Sequence, residues 1–355
     1  MRVWRSRRLY LGLAVSAIFL VLLLRQVDGD ELVEALRKAQ PGWIVLAAIP
    51  FALGIWLRAL RWRIVLRPSL EISTGDALAI MIVGFGANNV LPARAGEVVR
   101  AGMLQQRYGA SWTLGLGTIV VERVLDGLVL SAFLVLTIAL AGGTALLNAL
   151  ALLAAAGFAA AAVLLAALTV LPGPSATLVT RLLRFVPARL RPRLRAWSGG
   201  FLAGMTTLRG AGAWAAALAA TTASWAAEGA AYWLVGRSFG LDLPALLYSA
   251  VVGAANLALA APSTAAGIGP YEFFTRGVAV AYGASTATAT AYAIALHALT
   301  VAPLIVAALV VLWHRNLGLR TLAGPAAGAG PTAEAADAPA TETAIQADRN
   351  SASRS

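Results

Sequence analysis

Long apolar runs alternate with short basic ones along this chain, and the apolar runs have the length of membrane spans. A helix needs about 20 apolar residues to cross the hydrocarbon core, within a range of roughly 17 to 25. Leu9–Leu24 is uncharged and follows Arg2, Arg5, Arg7 and Arg8. The two together resemble the basic and apolar regions of a signal peptide, but no small-residue cleavage site follows, so a retained first span is expected. Pro41–Leu57 is a second span, closed by Arg58, Arg61, Trp62, Arg63 and Arg67. From Gly127 to Thr180 the chain runs 54 residues without a charge. That length requires two passes, the first starting near Trp112 and turning at Gly142-Gly143. Gly210–Gly236 is another span, interrupted by Glu228, and Gly277–Trp313 ends in a last one before Arg315.

Two further runs break the pattern. Ala77–Ala93 contains Gly84, Gly86, Asn88, Asn89 and Pro92, and Leu243–Tyr271 contains Asn256, Pro262, Gly267, Gly269 and Pro270. These residues weaken a continuous lipid-facing helix, so both runs read as broken or re-entrant. Each continues in the order Asn, Pro, Gly, Glu, Arg. The fold class expected is an all-α polytopic membrane protein, with about six full transmembrane helices plus two broken elements in an inverted repeat.

Composition agrees with a membrane setting: 59% of the 355 residues are hydrophobic and 12% charged, against about 25% charged in a soluble domain. The net charge of +12 then belongs at membrane edges rather than on nucleic acid. By the positive-inside rule the N-terminus, Arg58–Arg67, Arg181–Arg209 and Arg315/Arg320 lie on the cytoplasmic side of the plasma membrane. Six crossings satisfy all four, placing both termini in the cytoplasm and the acid-rich Arg25–Gln40 loop outside. Under this topology the first broken element dips in from the cytoplasm and the second from outside. Arg181–Arg209 holds seven arginines and no acid, which suits a basic interfacial helix pair broken at Pro187 and Pro192. Residues 1–320 form the membrane domain. Residues 321–355, rich in Ala, Pro, Gly and Thr, cannot bury a core and are expected to be a disordered cytoplasmic tail.

The chain has no cysteine and only His297 and His314, so no cofactor or metal is expected. No phosphate-cradling loop or nucleophile triad is present, so nothing supports an ATPase or a soluble-type hydrolase, while acid/base chemistry by the paired carboxylates within the membrane stays open. The candidate chemistry lies in charges placed within apolar sequence: Asn89, Arg94, Glu97 and Arg100 at the first broken element, Glu272 and Arg276 at the second, and Glu122, Arg123 and Asp126 in the span after Trp112. A charge at membrane depth costs roughly 2.5 to 3.5 kcal/mol on insertion scales, so these groups should face a protein cavity. The structural alternative pairs Glu97 with Arg100 and Glu272 with Arg276 as simple helix salt bridges and makes the third group an ionic lock. Glu228 reads as a packing partner for a neighbouring Arg, and His297 as a hydrogen-bonded helix contact.

At these residues the chain resembles the lysylphosphatidylglycerol synthase transmembrane region, a flippase-like family, over roughly Leu9–Leu319. The likeness rests on Arg58/Arg61-Trp62, on Asn89-x-x-Pro92-x-Arg94-x-Gly96-Glu97-x-x-Arg100, on Glu122-Arg123-x-x-Asp126, and on Pro262 through Gly267-Ile268-Gly269 to Glu272. In the last, Ala265-Ala266 stands where the family tends to have Pro and Gly. Bifunctional members join a soluble synthase to a membrane part that moves the product lipid between leaflets. The resemblance therefore implies the translocating half alone, with phospholipids or polyprenyl-linked sugars as substrates. Arg94, Arg100, Arg123 and Arg276 would hold an anionic headgroup, with Glu97, Asp126 and Glu272 balancing them. The partners implied are membrane lipids, with lipid-linked glycan or glycosyltransferase machinery and no nucleic acid. The alternative is a non-transporting membrane enzyme or scaffold for lipid or glycan assembly.

Overall fold

A computed structural model describes residues 16–23, 25, 27–91, 95–170, 187, 191–258 and 265–317. Among these, regular structure is entirely helical: α1 (Gly29–Arg37), α2 (Pro41–Leu66), α3 (Thr74–Val90), α4 (Gly96–Tyr108), α5 (Trp112–Ala141), α6 (Ala145–Val170), α7 (Arg191–Met205), α8 (Ala211–Ser238), α9 (Ala245–Ala258), α10 (Pro270–Ala281) and α11 (Thr286–His314), with a short 3-10 turn at Ala265–Gly267. The protein is an all-α polytopic membrane protein. Within the described residues, α2, α5, α11 and Leu147–Thr169 of α6 are long and apolar enough to cross a membrane. The Ala-rich α8, at 28 residues, has the length of a crossing at 1.5 Å per residue. Residues 16–23 are the described, helical part of the first expected span. Most of the basic Arg181–Arg195 stretch and all of 321–355 lie outside the described residues.

Local chemistry sets the helix ends. The Ser73 hydroxyl accepts from the Asp76 amide and the Ser285 hydroxyl from the Thr288 amide, capping α3 and α11. Gly109 in the left-handed region closes α4. Leu91, the residue before Pro92, is extended and stops α3. The turn at Gly142-Gly143 falls where the charge pattern places it, with Gly142 at φ 76°.

The order of helix lengths is repeated. The run α2–α5 has 26, 17, 13 and 30 residues, and the run α8–α11 has 28, 14, 12 and 29. Packing follows the same correspondence: α2 lies along its counterpart α8, α3 packs on α11, and α9 packs on α5. All three contacts are antiparallel. The Gln40 amide donates to the Ser238 carbonyl while Arg61 reaches Thr221. Asp76 meets Arg315 as Gly86 meets Ala308, and Thr137 meets Ser249 as Leu130 meets Gly253. Counterpart helices that run antiparallel make the two halves inverted. The pair α3/α4 enters from the face carrying Arg67 and Arg315, and the pair α9/α10 from the face carrying Ser238 and Tyr282.

Leu152, Leu153, Val45 and Trp313 are more than two-thirds exposed, as apolar residues facing lipid are. On the inside, Gly117 of α5 and Gly204 of α7 touch backbone to backbone, and a Cβ on either would collide with a carbonyl of the other helix. One element differs from its sequence pattern. Helix α2 runs past Leu57 to Leu66, so Arg58 and Arg61 are inside a span rather than at its edge. Both are buried, because carboxylates from other helices meet them.

Candidate functional site

Arg61 on α2 faces Glu122 and Asp126, four apart on α5, and Arg58, three residues before it, faces Glu228 of α8. Arg61 donates to Thr221 and Glu122 at 3.1 Å and to both oxygens of Asp126, the longer contact being 3.3 Å. Arg100 donates to the other Glu122 oxygen at 2.6 Å. The Trp225 indole donates to Asp126 at 3.0 Å. Arg58 donates to Glu228 at 2.6 Å and lies 4.2 Å over the Trp225 ring. Arg123 is nearer to water, 3.4 Å from Asp126 and 3.8 Å from Glu97. Four arginines thus meet four carboxylates, and the network is electrically balanced, as buried charges must be.

A cavity of about 140 Å³ opens beside the network. Its volume is enough for several waters, since one needs roughly 10 to 15 Å³. Its polar wall is Arg58, Arg123, Asp126, Glu228 and His297, with Asn88 and Asn89 from the end of α3 and Asn256 from α9. Both broken elements therefore reach it, from opposite faces.

Of the sequence candidates, Asn89, Arg123 and Asp126 line the cavity and Glu97 reaches it through Arg123. Glu122 and Arg100 lie behind it, within the ionic network. Glu272 stands behind His297, which it contacts at Nδ1. Arg276 lies elsewhere, donating to the Leu23 carbonyl at 3.0 Å beside an apolar cavity of about 250 Å³ between α6 and α10. Arg94 is outside the described residues. Sequence reasoning missed Arg58, Arg61, Asn88, Asn256 and His297 as site members. Arg58, Arg61 and Trp62 at helical spacing, with apolar residues between them, were the available signal. Glu228 pairs with an arginine and His297 makes hydrogen bonds, as expected. The turn of the second broken element puts Ala266 at φ 61°, a left-handed conformation costing a non-glycine residue about 1 to 2 kcal/mol. Among the described residues, no three His, Asp or Glu converge as metal ligands would.

Two inverted halves meeting at a cavity with charged and apolar walls define a polytopic membrane protein with a central site. Residues 9–308 match the lysylphosphatidylglycerol synthase TM region, and the chain belongs to that family. It is similar to the glycosyltransferase AglD of Haloferax volcanii, 29% identical over 35% of this chain and 20% of that protein. A UPF0104 membrane protein of Methanothermobacter thermautotrophicus is 30% identical over 36% of this chain and 38% of the relative. A second UPF0104 membrane protein, from Methanocaldococcus jannaschii, is 26% identical over 32% and 35%. The chain thus spans well under half the length of these relatives. No solved structure matches it.

Proposed function

We propose that this protein moves a phosphate-bearing lipid between leaflets, its headgroup passing through the central cavity while the hydrocarbon chains stay in the bilayer. The observation carrying this reading is a cavity of hydrated size, walled by charged and apolar side chains, met by the broken elements from opposite faces. Such an arrangement lets a site open to either side when the two halves exchange conformations. Arg58 and Arg123 are the cations that line it, and each can trade a carboxylate for a phosphate oxygen. The substrate class is an anionic or zwitterionic phospholipid or polyprenyl-linked lipid. The plasma membrane, with both termini cytoplasmic, is the location we propose.

A second reading draws on the pairing itself. Every arginine lining the cavity already has a carboxylate, as in a structural lock, and one relative is named a glycosyltransferase. On that reading the domain scaffolds lipid-linked glycan assembly. Vesicles reconstituted with purified protein decide between them: a fluorescent phospholipid in the inner leaflet should become accessible to an external quencher faster than in protein-free vesicles. Equal rates across phospholipid and polyprenyl-phosphate probes would leave the scaffold.

A further inference from the structure

The second broken element turns at Ala266, Gly267 and Gly269, all at positive φ, and two side chains tie this turn together. The Gly269 amide donates to Glu272 Oε2 at 2.7 Å. Glu272 Oε1 meets His297 Nδ1, and His297 Nε2 meets the Ala266 carbonyl oxygen at 3.1 Å. Glu272 and His297 are both buried. The Tyr271 ring covers the imidazole, centre to centre 4.7 Å, and its hydroxyl bonds that of Tyr232 at 2.6 Å.

Counting protons gives the state of this pair. A carbonyl oxygen only accepts, so Nε2 carries a proton. Nδ1 faces a carboxylate oxygen, so a second proton lies between those two atoms, whichever of them owns it. The pair thus holds one proton more than a neutral imidazole beside a free carboxylate. Without that proton one of the two contacts has no donor. A lone pair then faces either Glu272 or the Ala266 carbonyl in a buried site, which is the costly case for a polar group.

We propose that Glu272 and His297 form a proton-binding site that latches the turn of the second broken element. Protonated, the pair holds Ala266 against α11 and closes that wall of the cavity. Deprotonated, it releases the turn. The other titratable or charged groups around the same cavity are Arg58 on α2, Arg123 and Asp126 on α5, Glu228 and Tyr232 on α8, and Tyr271 on α10. Helices α3 and α9 contribute the uncharged Asn88, Asn89 and Asn256. Because the arginines and carboxylates there compensate each other, proton occupancy follows chiefly from the pair's own two members. Should the headgroup reading hold, on which this consequence alone rests, proton binding on one side and release on the other couples lipid movement to a proton gradient.

The chain has no cysteine, so Ala266→Cys is a single reporter on the cavity wall. Its labelling rate by a membrane-impermeant thiol reagent is divided by that of Asp242→Cys, whose side chain is 97% exposed, which removes the pH dependence of the thiol itself. Between about pH 5.5 and about pH 8.5 the ratio should rise about tenfold, the effect of losing one hydrogen bond to a charged group. Two added substitutions move it in opposite directions. Glu272→Gln accepts from the Gly269 amide and donates to Nδ1 of a neutral imidazole, so it latches at every pH and the ratio stays low. His297→Ala cannot latch, and the ratio stays high. A flat ratio with both residues intact, or an unchanged pH response with Glu272→Gln, overturns the latch. Lipid flux is read separately in the same vesicles. A pH-dependent ratio without flux keeps the latch and rejects the headgroup reading, whereas flux with a flat ratio does the reverse.

Discussion

The guanidinium of Arg100 lies 4.3 Å over the centre of the Trp62 ring while donating to Glu122 at 2.6 Å. Unlike Arg58, Arg100 does not line the cavity, and its side chain is 1% exposed, so no ligand reaches it. Arg100→Gln should therefore act on stability, lowering it by about 3 to 5 kcal/mol because Glu122 keeps only part of its compensation. Adding Glu122→Gln should restore more than half of the loss. Detergent melting of the single and double variants measures this, and equal melting of the two would refute the pairing.

Arg123 is the contrasting case. Its side chain is 39% exposed, and an ion pair at that exposure is worth about 0 to 1 kcal/mol. Arg123→Gln should leave the melting temperature nearly unchanged and slow lipid flux at least about tenfold, the loss of one charge-assisted contact. Full flux with Arg123→Gln would remove this residue from the headgroup path.

The contact between α5 and α7 depends on the absence of side chains at Gly117 and Gly204. Gly204→Leu should force the helices apart at a cost of about 1 to 3 kcal/mol. Gly212, with open space around it, is the control, and Gly212→Leu should melt with the unaltered chain.

Asp76, at the face where Arg315 leaves α11, accepts from the Tyr108 hydroxyl at 2.6 Å and also contacts Arg315 and Arg107. The Tyr108 hydrogen bond, then Arg315 and Arg107, hold its carboxyl down at about 2 against the opposing effect of burial. A depressed folded-state value means its stabilisation is full above the unfolded value near 4 and vanishes as pH falls through about 2. Acid melting of the unaltered chain should show this loss in that window. Asp76→Asn should be less stable at neutral pH and lack the window, and matching acid profiles would contradict the assignment.

The inverted arrangement places the start of α1 and the start of α7 on opposite faces. Cysteines introduced at Asp30 and Arg191 should react with an impermeant reagent from opposite sides of sealed vesicles. Reaction of both from one side would break the topology.

Apolar run lengths made the spans, the Gly142-Gly143 turn and the two broken elements legible, because the cost of charge or free backbone in lipid acts locally. Glu122, Arg123 and Asp126 stood out for the same reason. Pairing was not legible. Glu97 and Arg100, three apart, turn to Arg123 and Glu122 instead of each other, and Glu272 turns from Arg276 to His297. Arg58 and Arg61 read as a basic edge because the rule for arginine clusters sees only near neighbours, while their partners come from α5 and α8.

That separation along the chain sets an order of events during synthesis. Glu228 follows Arg58 by 170 positions, which at about 5 to 20 residues per second is roughly 10 to 30 seconds of elongation. Through that interval Arg58 has no Glu228 to neutralise it, and a long basic side chain in that condition stays at the water edge. The arginines of α2 are therefore neutralised in turn, Arg61 by Glu122 and Asp126 of α5 and Arg58 only once α8 brings Glu228, so a late helix completes the seating of an early one.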